Sequence, residues 1–179
     1  MSGSIVLEHR KVIVERFGIT VLNEAVAGLS EAQRQELDEA RPSTWVRIST
    51  MEVFYGNLSK QLGRRVADLH VEIGRLATER AFKTLWRVFL RFTTDDALIT
   101  RCPVIFSKSY DSGRVAATVL RPGHGEVTLS EWPAVSDFPI RGLCNGIATL
   151  LTLAGRNNVT TRITTRTSEQ TVITVMWDV

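Results

Sequence analysis

The chain has 179 residues, 44% hydrophobic and 23% charged, which fits a folded domain with one sizeable core and excludes a disordered chain. Its net charge is +3, but Lys and Arg are interleaved with Glu and Asp, so the concentrated basic stripe that nucleic-acid binding requires is missing. No apolar run approaches the roughly eighteen residues that cross a bilayer, and the opening "MSGSIVLEHRKVIVERFG" mixes charges into its apolar positions, unlike a signal peptide. A cytoplasmic location without membrane contact is expected. Cys102 and Cys144 are the only cysteines, and neither belongs to a CxxC or Cys/His cluster, so free buried thiols are expected and no metal site.

From Ile5 to about Gly18 the spacing of Ile5, Val6, Val12, Ile13 and Phe17 predicts an amphipathic helix with Gly18 as its stop. In "LSEAQRQELDEA", Ser30 and Gln33 stand at the positions of a capping box, which predicts a short helix to about Ala40. Pro42, Ser43 and Thr44 interrupt the chain before "WVRISTMEVFYGNLSKQLG", another helical segment ending near Gly63. The segment Arg64 to Phe92 reads as the longest helix, with Val66, His70, Ile73, Ala77 and Ala81 on one face. Phe82, Trp86, Phe89 and Phe92 follow helical spacing on a second face, which suggests burial on both sides, by a bound molecule or a second subunit. Thr93 to Asp96 open a further short helix ending before Pro103.

Beyond that point the period changes to two. "GRVAATVL" and "GEVTLSEW" alternate as strands joined by "RPGHG", and "NVTTRITTR" and "TVITVMWDV" form a second hairpin around "TSEQ". Between them "SDFPIRGLCNGIATLLTLAG" is helical, with Gly155 past its end and Gly142-x-x-x-Gly146 offering a close approach to another backbone. The order of several helices, hairpin, helix, hairpin predicts an α+β fold, a helical N-terminal half on a four-stranded antiparallel sheet, as one domain over residues 1–179.

Tyr110, Ser112 and Arg114 stand at every second residue, and on an extended chain that puts their side chains on one face about 7 Å apart. They are either a clamp for an anionic group or a structural set in which a buried Arg114 meets a carboxylate or a helix end. His70, on the apolar face of the long helix, is either a core histidine or a ligand. No nucleophile elbow, phosphate-binding glycine loop or distinctive carboxylate pair occurs, so an enzyme is not expected.

The element order, with Tyr110-x-Ser112-x-Arg114 at the first hairpin, resembles the heme nitric oxide/oxygen-binding (H-NOX) domain. It also resembles the broader superfamily shared with the 4-vinyl reductase domain and the small subunits of the TRAPP vesicle-tethering complex. "FLRF", "CPVIFSKSYDSGRV" and "LCNGIATLLTLAG" are similar to segments of a bacterial, mainly myxobacterial family of this length. The resemblance implies a ligand-binding signalling domain in which Tyr110, Ser112 and Arg114 would grip heme propionates, the guanidinium taking a carboxylate bidentately. It also implies a proximal His upstream of the motif as iron ligand. From Val71 to Ser109 the chain contains no His, and the expected position falls near Arg80. His70 lies about three helical turns too early, His9 belongs to the first helix, and His124 to a hairpin tip. Cys102 stands beside Pro103, and "TRTSEQTV" lacks the cysteine turn that the superfamily places in its last hairpin.

The resulting expectation is a non-enzymatic sensory or adaptor domain without a cofactor, binding other signalling proteins and a small apolar or anionic ligand through Tyr110, Ser112, Arg114 and His70. Its alternative is a heme-based gas sensor with an unusual axial ligand. A homodimer centred on Phe82, Trp86 and Phe89 is expected, since superfamily relatives pair through their helical layer.

Overall fold

Val6, His9, Val12 and Ile13 recur every three or four residues and form the buried stripe of α1 (Gly3–Phe17). Gly18, at φ 93°, ends that helix by donating its N–H to Val14 O, and α2 (Ile19–Ala27) follows at once. The sequence reading passed over α2 because one glycine, with no capping side chain, separates it from α1. The expected capping box opens α3 (Glu31–Asp38): Ser30 Oγ accepts from Gln33 N at 3.3 Å, and Gln33 Oε1 accepts from Ser30 N at 3.1 Å. Helix α4 (Ile48–Leu62) ends on Gly63, whose φ of 62° no β-carbon favours. Helix α5 (Val66–Ala81) buries Leu69, His70, Ile73 and Ala77.

The computed structural model describes residues 1–82, 94–132 and 134–178, Asp96 by its backbone alone. These form two units, Met1–Arg80 and Ala81–Val179. The single long helix expected to reach Phe92 instead ends at Ala81, and Phe82 is a half-buried turn residue. Trp86, Phe89 and Phe92 lie outside the described residues.

In the second unit, Thr94 Oγ1 accepts from Ala97 N at 3.3 Å and caps α6 (Asp95–Ile99). A further helix, α7 (Cys102–Ser109), starts where Pro103 was expected to stop helical structure. Proline in a first turn sacrifices no hydrogen bond, so it starts this helix rather than ending one. Strands β1 (Arg114–Arg121) and β2 (His124–Ser130) form the first hairpin, α8 (Asp137–Leu153) follows, and β3 (Thr160–Arg166) and β4 (Gln170–Met176) form the second. The sheet is antiparallel throughout, in the order β1-β2-β4-β3.

Alternation defines one covered sheet face. Val127 and Leu129 on β2 and Ile173 and Val175 on β4 are buried, while β3, an edge strand with an irregularity between Ile163 and Thr165, is largely exposed. Asp95 ties α6 to the chain's last turns: its carboxylate accepts from Arg156 Nε at 2.8 Å and from Trp177 Nε1 at 3.2 Å. At Gly146 of α8 an added β-carbon meets nothing within 4 Å, so no close approach is made there among the chain's described residues. Both cysteines are free and half-buried, and burial pushes the Cys102 thiol up to about 11. Among the described residues no helix is long and apolar enough to cross a membrane. None of these residues gather three or more His, Cys, Asp or Glu in a metal-holding group.

Candidate functional site

The extended-chain premise for Tyr110, Ser112 and Arg114 does not hold. Helix α7 runs to Ser109, Tyr110 is its C-cap, Gly113 sits at φ 80°, and the strand begins only at Arg114. Tyr110 is buried, its ring 5.2 Å from Phe106 and 5.3 Å from Trp132 between centroids, and burial raises its hydroxyl pKa far above the ordinary phenol value. Ser112 is exposed and shares a 3.4 Å contact with Asp111. Arg114 was expected to be buried; its side chain is 76% exposed and pairs with Glu131 at 2.7 Å, itself exposed. One motif residue thus faces the interior and two face outward.

What the motif does hold is the turn after β2. Tyr110 and Phe106 pack on Trp132, a β-carbon on Gly113 would lie 2.9 Å from the indole, and Arg114 binds the residue before that tryptophan, Glu131, which has a φ of 54°. A glycine is required at 113 on two counts, the backbone angle and the indole.

His70 belongs to a different cluster, in the first unit. It is 4% exposed, its ring centroid 5.1 Å from that of Tyr55 on α4 and 6.2 Å from that of His9 on α1. Tyr55 Oη and His9 Nδ1 are 3.0 Å apart. Burial, with His70 adding repulsion, lowers the pKa of His9 to about 3, so its imidazole is neutral at ordinary pH. Sequence reasoning named His70 but neither His9 nor Tyr55 as partners. A signal for His9 existed: it continues the Val6, Val12, Ile13 stripe, a polar ring on a core face.

Arg80, near the place expected for an iron ligand, is anchored to α1: its Nη1 donates to Glu15 and its Nε lies 3.5 Å from Glu8 Oε2. The hydrogen bond to Glu15 is the main cause that raises the pKa of this guanidinium above its already high ordinary value.

No family model matches this chain, and no curated protein matches it. Solved structures do. An oxygen-binding H-NOX domain related to soluble guanylate cyclases, in its oxygen complex, superposes with a TM-score of 0.73 over 100% of this chain and 96% of its own, at 13% identity. An H-NOX structure that probes heme distortion gives 0.72 at 14% identity, covering 100% and 96%. The unliganded Fe(II) H-NOX protein from K. algicida gives 0.71 at 12%, covering 100% and 97%. The chain has the H-NOX-like fold, α+β with its helices concentrated in the N-terminal half.

Heme is the group that fold implies, and the residues present do not fit it. The expected ligand position carries an ion-paired arginine, His70 is enclosed with Tyr55 and His9, and Arg114 is engaged with Glu131 while Tyr110 is engaged with Trp132.

Proposed function

We propose that this chain is a non-enzymatic, cytoplasmic sensory or adaptor domain of the H-NOX fold that works through a partner protein and a small apolar or anionic ligand, without ordinary heme ligation. One observation carries the reading. Between Val71 and Ser109 there is no His, and Arg80 near the expected ligand position is bound to Glu8 and Glu15. A guanidinium offers iron no lone pair. The exposed Arg114–Glu131 pair is the point where an anionic group enters, by displacing Glu131 from a bidentate cation.

The partner is a second copy of the chain or another signalling protein, recognised through the aromatic residues Phe82, Trp86 and Phe89. Light scattering at micromolar concentration tests this: a dimer that Trp86→Ala converts to folded monomer is expected. A monomeric wild type whose Trp86→Ala variant merely unfolds removes the proposal.

The second reading is a heme-based gas sensor with an unusual axial ligand. It draws on neighbours that include an oxygen complex and an Fe(II) protein. It requires His70 to exchange its place beside His9 and Tyr55 for iron.

A further inference from the structure

Resting on the reading that an anionic group enters at Arg114, we propose that Glu131 and Trp132 fill the ligand site as a built-in substitute, and that the ligand displacing them is a small aromatic carboxylate. Two contacts, one residue apart, define the site. The Glu131 carboxylate lies 2.7 Å from Arg114 Nε, and the Trp132 indole packs on Tyr110 and Phe106 with centroids 5.3 and 6.0 Å away. A carboxylate on a guanidinium and a ring against two rings are the two halves of an aromatic acid. Gly113 shapes the seat, since a β-carbon there would lie 2.9 Å from the indole.

Access, backbone and an unsatisfied hydroxyl distinguish a replaceable occupant from ordinary packing. The Arg114–Glu131 pair is exposed and Trp132 is half-buried, whereas Phe106 and Tyr110, the rings it packs on, are 4% and 7% exposed. Both occupying groups can therefore leave without opening the core. Among the described residues three non-glycines take a positive φ, and two of them, Glu131 at 54° and Ala134 at 53°, stand on either side of the tryptophan. Left-handed backbone is unfavourable for a residue with a β-carbon and persists where surrounding contacts hold it, so loss of the Arg114 and ring contacts lets the turn relax. The Tyr110 hydroxyl is buried with its ring and has no hydrogen-bond partner among the described residues; burial is the one cause that raises its pKa. Indole is a donor only and offers that hydroxyl nothing, whereas an oxygen of a bound acid can accept from it.

The same contacts set the size of the ligand and the effect of binding it. The room vacated is that of one indole and one carboxylate, and no metal ligand is called for. An occupant on the same chain lowers the apparent affinity of any competitor in proportion to how seldom the site stands open. The ion pair that holds it is a surface pair and yields readily. Binding therefore moves the Glu131–Trp132 turn and leaves the sheet in place.

Fluorine NMR of the full chain labelled with fluorotryptophan is the test, with calorimetry giving the Kd. The Trp132 signal, one of four, is assigned by its loss in Trp132→Phe. Indole-3-propionate is the aromatic probe and decanoate the non-aromatic one. Indole-3-propionate is expected to move the Trp132 signal saturably towards its position in urea, and Arg114→Ala is expected to abolish that shift. Glu131→Gln weakens the built-in competitor and is expected to lower the Kd of the aromatic probe about twofold to fivefold, the equivalent of a surface ion pair. Three results overturn the inference while leaving anion entry at Arg114 standing: aromatic probe bound through Arg114 with the Trp132 signal unmoved, decanoate bound there in its stead, or a Kd that Glu131→Gln leaves unchanged. Binding of neither probe, or binding that Arg114→Ala leaves intact, overturns both.

Discussion

At the scale of single residues, the Tyr110 motif shows how spacing misleads when the backbone is not what the spacing assumes. Alternation predicts a common face only for extended chain, and α7 together with Gly113 at φ 80° removes that condition until Arg114. The types of residue were legible, whereas their directions were not. Arg114 is therefore a surface pair with Glu131, worth at most about 1 kcal/mol, instead of a buried charge whose loss costs roughly 3–5. Arg114→Ala is expected to melt within a few degrees of wild type. Decanoate, an anionic probe with an apolar tail, is expected to raise the melting temperature of wild type but not of the variant. Equal stabilisation of both would dissociate Arg114 from ligand binding.

At the scale of elements, signals that act locally were the readable ones. Ser30 and Gln33 announce α3, Gly63 and Gly155 close α4 and α8, and Pro122-Gly123 turns the first hairpin. Helices α2 and α7 were missed because their starts carry no polar cap, only Gly18 for one and Arg101 before Pro103 for the other. A contact that spacing cannot reveal fixes the start of α4. Glu36 of α3 accepts from Arg47 N at 2.8 Å, Arg47 Nε at 3.1 Å and Thr50 Oγ1 at 2.5 Å, acting as a cap supplied from eleven residues upstream. Burial alone would raise its pKa, but the Thr50 hydroxyl and the Arg47 N–H and guanidinium outweigh burial and hold the carboxyl below its ordinary 4.5. Glu36→Ala is expected to cost about 1–2 kcal/mol at pH 7 in urea unfolding, the loss typical of a cap. A depressed carboxylate contributes above its unfolded pKa and fades as pH falls through the folded one, so the gap between wild type and variant should narrow below about pH 4. A gap that stays constant down to pH 3 would assign the effect to packing.

At the scale of the whole molecule, element order together with the Tyr110-x-Ser112-x-Arg114 spacing led from the sequence to the H-NOX-like fold, and neighbours at 12–14% identity superpose over the full chain. Identity that low conserves where the backbone goes more than which groups it carries, so function has to be argued from the residues present. Those residues put an ion-paired Arg80 near the expected iron-ligand position and enclose His70 among Tyr55 and His9. The most direct test is the absorption spectrum of the full chain purified from heme-supplemented cells, normalised to protein. The account predicts no stoichiometric Soret band; a band at one heme per chain that His70→Ala abolishes would contradict it.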